Sequence, residues 1–233
     1  MLIVKNLQKT YGEQSLVAIK DISFTVHENE IVMILGPSGC GKSTLLNIIS
    51  NNIEGYAGSV EFTKKRLGYV FQEDRLLPWK TVKQNVQLVN MEGSDEQVNK
   101  VLDDVDILPF KDYFPENLSG GMRQRCSIAR ALYYGSDLLL LDEPFKSLDH
   151  SLRNEMLKLV AKINKETTLS ILYVTHDIDE ALMLADRVIV LSKRPAVVAD
   201  DFRILEQPME RNLESERFIG LKKRIVTHLE ENT

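Results

Sequence analysis

Apolar positions along the chain recur with a period of two in some stretches and about 3.6 in others, and the switches between them divide it into strands and helices. Residues 2–9 and 16–26 read as strands. In the second, Ile22, Phe24 and Val26 alternate with Asp21, Ser23 and Thr25, and Tyr11-Gly12 marks the turn before it. The unbroken run Ile31-Val32-Met33-Ile34-Leu35 predicts a buried strand. A helix over 43–50 follows, broken by Asn51-Asn52 and Gly55, and then short strands over 58–62 and 67–71.

From 73 to 135 the pattern is helical. Val82, Val86 and Val89 form one apolar face. Ser94 and Gln97 make a capping box ahead of Val98, Val101, Leu102 and Val105. Pro109 and Pro115 punctuate the next loop. A helix starting near Ser119-Gly120-Gly121 carries Met122, Cys126, Ala129 and Tyr133 at helical spacing. Strand character returns with Leu138-Leu139-Leu140-Leu141. Asp149 is placed to cap a helix whose face is Leu152, Met156, Leu159, Val160 and Ile163. A strand over 169–174 ends at Thr175-His176. A helix over 178–185, a strand over 187–192, a strand near 196–199 and an amphipathic helix over 214–230 complete the chain. That last helix shows Phe218, Leu221, Ile225, Val226 and Leu229 on one face. The alternation predicts an α/β fold with a parallel-sheet core, and the stretch 73–135 reads as an inserted helical subdomain.

A length of 233 residues suits one large domain, or one domain with a subdomain, and 43% apolar residues can fill a sizeable core. The net charge of -5 gives no basic field for nucleic acid, which is not expected as a partner. Cys40 and Cys126 lie in unrelated segments, so no disulfide is expected and a reducing compartment fits. The opening residues do not read as a signal peptide, and no apolar run approaches the ~20 residues of a membrane helix. The expectation is a soluble chain that meets a membrane through a partner. His27, His150 and His228 show no metal-ligand spacing and are expected at the surface.

The chemistry concentrates in Gly36-Pro37-Ser38-Gly39-Cys40-Gly41-Lys42-Ser43-Thr44, a G-x-x-x-x-G-K-[ST] loop between a strand and a helix. Glycines there let backbone N–H groups turn inward, and the helix start adds a partial positive charge, so the loop suits phosphates. Lys42 adds a full charge toward the β- and γ-phosphates, and the Ser43 hydroxyl is a hard oxygen ligand for Mg²⁺. Cys40 sits at the helix start, a position that lowers a thiol pKa, and is expected to be reactive. The strand 138–141 ends in Asp142 and Glu143. With a phosphate loop upstream, Asp142 suits Mg²⁺ held through water and Glu143 suits a general base; alone, the two acids would equally cap a helix or face solvent. Ser119-Gly120-Gly121 opens a second helix able to bind phosphate, or is an ordinary glycine-led helix start; spacing alone leaves both open.

Taken together, these motifs resemble those of the ATP-binding-cassette ATPases, over about residues 1–200. The Walker A motif matches 36–44, Walker B 138–143 and the signature motif 118–125. The aromatic A-loop residue matches Tyr11, the Q-loop glutamine Gln72, the D-loop Ser147-Leu148-Asp149 and the switch histidine His176. The resemblance implies a P-loop NTPase fold with a RecA-like core over 1–72 and 136–200, an antiparallel β subdomain, a helical subdomain over 73–135 and a tail over 201–233. It implies ATP and Mg²⁺ as cofactors, with Tyr11 stacking on adenine and Ser43, Asp142 and Gln72 serving the metal. Glu143, Gln72 and His176 are the implied catalytic set. Two chains would close head-to-tail, so that Ser119, Gly120, Gly121 and Gln124 of one cover the nucleotide on the other.

Leu76-Leu77-Pro78-Trp79 is unusually apolar for a loop, and Trp79 is the only tryptophan. It either covers the helical subdomain's own core or docks a membrane subunit. This form, with Leu141-Asp142-Glu143-Pro144-Phe145, resembles importer ATPases for nitrate, sulfonates, taurine and thiamine-precursor pyrimidines. Lys146 departs from them, since that group usually has a small residue there. The implied function is ATP-driven uptake of a small anionic or heterocyclic solute. The chain would sit on the cytoplasmic face of the membrane, with separate permease subunits docking near residues 72–79 and an extracytoplasmic binding protein. An export or lipid-handling cassette is the alternative. Non-transport cassettes usually need a coiled-coil insertion or two cassettes in one chain, and a small-molecule P-loop kinase would need neither 118–125 nor His176.

Overall fold

The computed structural model describes residues 1–12, 16–63 and 66–230. In chain order its elements are β1 (Leu2–Tyr11), β2 (Leu16–Val26), β3 (Ile31–Leu35), α1 (Lys42–Ile49), β4 (Ala57–Phe62), β5 (Leu67–Val70), α2 (Val82–Gln87), α3 (Asp95–Asp104), α4 (Gly120–Tyr133), β6 (Leu138–Asp142), α5 (His150–Glu166), β7 (Ser170–Thr175), α6 (Ile178–Leu184), β8 (Arg187–Leu191), β9 (Ala196–Arg203) and α7 (Glu216–Glu230). They fall into two compact units, residues 1–65 with 170–233, and residues 66–169. The second unit therefore takes in β5, β6 and α5 besides the helices expected between 73 and 135.

In the first unit the strands run β4-β1-β2-β9-β8-β3-β7. β1 pairs antiparallel with β2 and β4, and β9 pairs antiparallel with β8. β3 lies parallel between β8 and β7, with Leu35 opposite Val190 and Thr175. All five residues of β3 and all six of β7 are buried, which is why both read as unbroken or nearly unbroken apolar runs. β9 runs on to Arg203, beyond the strand expected near 196–199. Its polar half, Asp200-Asp201, is held in the ladder by pairing with Val190 and Ile189, which apolar periodicity does not register.

The second unit contains the parallel pair β5 and β6, with Val70 opposite Leu141. The expected capping box of Ser94 with Gln97 is formed, and Thr81 with Gln84 makes a second beyond the one expected. Val82 and Val86 are buried, but α2 stops at Gln87 and leaves Val89 37% exposed, outside the expected face. On α4, Cys126, Ala129 and Tyr133 are buried while Met122 is only half-buried, because the inward face also takes Gln124, Ser127 and Ile128. Asp149 caps α5 by accepting from the Leu152 N–H at 3.0 Å. No helix among the described residues is long and apolar enough to cross a membrane.

Candidate active site

In the first unit, β3 delivers the chain into the glycine loop. Gly39 and Gly41 have φ of +76° and +125°, values that L side chains rarely adopt. Gly36 is fixed by packing instead, since a Cβ there would lie 2.8 Å from the Cys40 Sγ. Gly41 is the N-cap of α1 and has no side chain of its own to hydrogen-bond the first turn. Lys42 is buried and donates from Nζ to the carbonyls of Gly36 at 2.7 Å and Pro37 at 3.0 Å. The ammonium is thus held within the loop by the oxygens that a phosphate would replace. The Arg194 guanidinium donates to the Gly39 carbonyl at 2.5 Å. Tyr11 donates to the Thr44 hydroxyl at 3.3 Å. Lys9 Nζ lies 5.0 Å from the Tyr11 ring centroid and is anchored by the carbonyls of Glu54 at 2.7 Å and Gly55 at 3.0 Å. The Tyr11 ring keeps an exposed part beside the loop, as a platform for a flat base requires.

His176 leaves β7 in register with the start of the loop, because Thr175 pairs with Leu35. Its turn is built around buried Glu180, whose Oε2 accepts from Tyr173 and Thr175, each at 2.8 Å. The Asp177 N–H donates to the Thr175 hydroxyl at 3.0 Å, and Asp177 caps α6 through the N–H groups of Asp179 and Glu180. The imidazole is therefore exposed on a backbone fixed from below.

In the second unit, Gln72 and Asp142 leave the carboxyl ends of paired parallel strands. The Tyr69 hydroxyl donates to Asp142 Oδ2 at 3.1 Å, and burial, with that carboxylate beside it, pushes the phenol far above its ordinary pKa. Glu143 sits in the left-handed region at φ 44°, strained for a residue with a Cβ, and its side chain is only 11% exposed. The Gln72 side chain is exposed, while its carbonyl accepts from Gln124 Nε2 at 3.2 Å. Ser119 caps α4 through the Met122 N–H at 3.3 Å. Gly121 packs closely on α5, where a Cβ would meet Leu152 Cδ2 at 2.7 Å. Both readings of this helix start, glycine-led packing and phosphate binding, are therefore compatible with the same two glycines.

Composition and spacing did not single out Asp74, Ser127, Arg130 or Arg194. The first three tie the stretch after Gln72 to α4: Arg123 Nε reaches Asp74 Oδ2 at 2.8 Å, and the Asp74 carbonyl accepts from Ser127 at 2.8 Å and Arg130 at 3.3 Å. Polar residues facing inward on an amphipathic helix were the available signal. Beyond them, Asn85 is fully buried and holds the apolar loop through the Leu77 N–H and the carbonyls of Leu77, Lys80 and Thr81. Leu76 packs inward, whereas Trp79 is 69% exposed. Cys40 requires a correction: its thiol is 1% exposed, and that burial outweighs Lys42 and raises its pKa, so it is not the activated thiol its position suggested.

A family model described as ABC transporter matches residues 19–146. The chain is 42% identical over 195 residues to the aliphatic sulfonates import ATP-binding protein SsuB 2 of Pseudomonas syringae pv. tomato, covering 83% of this chain and 84% of that protein. The Burkholderia cenocepacia protein of the same name is 38% identical over 221 residues, covering 91% and 81%. Among solved structures, the dimeric MJ0796 cassette superposes with a TM-score of 0.78 at 32% identity, over 88% of this chain and 100% of that one. The post-hydrolysis state of the same cassette, bound to ADP and Pi, gives 0.77 at 31% identity over the same shares. With more than half its length matched, and relatives this similar along most of theirs, the chain belongs to the ABC transporter family, as an ATP-hydrolysing cassette subunit.

Proposed function

We propose that this protein powers import of a small anionic solute, of the aliphatic sulfonate class, through separate membrane subunits. It works as a head-to-tail pair of identical chains on the cytoplasmic face of the membrane. The observation that carries the ATPase chemistry is the loop 36–44: a helix start led by glycine, two left-handed glycines and a lysine held among carbonyls. The sulfonate class rests on the names of the relatives.

In this reading Tyr11 stacks on adenine, and the loop from Gly36 to Thr44 holds the phosphates. Glu143 takes a proton from water as the water oxygen attacks the γ-phosphorus and the bond to ADP breaks. His176 steadies the γ-phosphate. Ser119, Gly120, Gly121 and Gln124 close over the partner chain's nucleotide. Ser43, Asp142 and Gln72 are hard oxygen donors, a set that fits Mg²⁺, which when bound neutralises phosphate charge. The exposed Trp79 and the loop before it dock the permease, and the hydrogen bonds from α4 to Asp74 relay that contact to the signature helix. A binding protein outside the membrane delivers the solute.

The test is ATP turnover with and without Glu143→Gln, no phosphate acceptor being added. The wild type releases phosphate, whereas the variant binds ATP, releases none and accumulates as a dimer. Turnover by the variant at the wild-type rate contradicts the assignment of the base, and a wild type that needs an acceptor contradicts the reaction class.

A further inference from the structure

Between β6 and α5 the chain makes a tight turn, Asp142-Glu143-Pro144-Phe145-Lys146. Phe145 is fully buried and anchors the turn, and the Lys146 N–H donates to the Glu143 carbonyl at 3.3 Å. The left-handed φ of 44° at Glu143 is part of this fold-back, which brings the two side chains onto the same side. Lys146 Nζ then lies 2.8 Å from Glu143 Oε2. The two partners differ in environment. Glu143 is 11% exposed and Lys146 41%, so the carboxylate is fixed while the lysine can swing into solvent. A general base accepts a proton on a carboxylate lone pair, and here a charged donor is hydrogen-bonded to one of the two oxygens.

We propose that Lys146 is a restraining residue for ATP hydrolysis: its ammonium tethers Glu143 Oε2 in the resting chain and must let go before that carboxylate receives the water's proton. This rests on the reading of Glu143 as the base. Lys146 acts only through Glu143 and touches no phosphate in this account. Release of an ion pair whose lysine is part-exposed costs little, so the tether slows turnover without abolishing it.

The experiment measures kcat and KM for ATP in Lys146→Ala, Lys146→Gln and Lys146→Arg, beside Glu143→Gln and the double variant Glu143→Gln/Lys146→Ala. Removing the ammonium is expected to raise kcat up to about fivefold, the range a part-exposed pair can supply. KM stays unchanged, and arginine, which keeps the charged donor, restores the slow rate. The double variant is as inactive as Glu143→Gln alone. A kcat in Lys146→Ala and Lys146→Gln equal to or below wild type, with Glu143→Gln inactive, overturns the tether but leaves the base. If Glu143→Gln turns over normally, the base assignment itself has failed. Thermal melting of each variant separates a loss of fold from a loss of rate.

Discussion

Arg123 on α4 donates to Asp74 at 2.8 Å, and both side chains keep about a third of their surface in solvent, at 36% and 29%. An ion pair so placed contributes little stability, so Asp74→Ala should lower the unfolding free energy by no more than about 1 kcal/mol. Asn85, fully buried with four hydrogen bonds to the apolar loop, is a different case. Asn85→Ala leaves buried backbone groups unpaired and should cost about 2–3 kcal/mol or more in urea unfolding. Equal costs for the two would mean that the loop is not held as described.

Gly121→Ala tests how closely α4 and α5 pack. The added carbon would meet Leu152 Cδ2 at 2.7 Å and Cδ1 at 2.9 Å, so the Leu152 side chain must turn aside or a helix must shift, at about 1–3 kcal/mol. Leu152→Ala in the same chain should recover most of that loss. If ATP turnover stays low after stability returns, the glycine also serves the phosphates, and the double variant separates the two roles.

Arg194→Ala removes the donor on the Gly39 carbonyl and leaves the loop free to open. We expect KM for ATP to rise about threefold to tenfold, the worth of one exposed hydrogen bond, with kcat unchanged. A change confined to kcat would instead place Arg194 in the chemical step.

The thiols predict an alkaline limit. Burial raises the pKa of Cys126 to about 12 from an ordinary 9.0, and raises that of Cys40 as well. The folded chain therefore holds thiol protons that the unfolded chain releases. Their contribution is complete below about pH 9 and is lost as pH rises from there toward 12. Cys126→Ala should be less stable at neutral pH, through its cavity, yet show a shallower loss above pH 9. Native protein should resist thiol alkylation at pH 8 with or without ATP.

Where one residue type has one structural meaning, the sequence was easily read. Ser94 with Gln97, Asp149, and the run 31–35 each name a cap or a buried strand, and each forms as expected. The order of motifs also reached the family before any geometry was available. What stayed hidden depends on tertiary contact. The polar half of β9 needs β8 to hold it, Cys40 is governed by burial and not by its helix position, and Gly121 answers to Leu152, thirty-one positions away. The pairing of Glu143 with Lys146 was invisible for the same reason, because a left-handed residue in the turn is needed to make it.

In the proposed dimer each ATP is held by the loop of one chain and the signature helix of the other. Mixing two inactive variants, Lys42→Ala and Ser119→Arg, isolates that arrangement. A mixed dimer has one site with both defects and one with neither. Each variant alone should be inactive, and turnover should reappear on mixing, in proportion to the mixed dimers formed. A mixture no more active than its parts, or a Ser119→Arg chain that hydrolyses ATP by itself at the full rate, would contradict it.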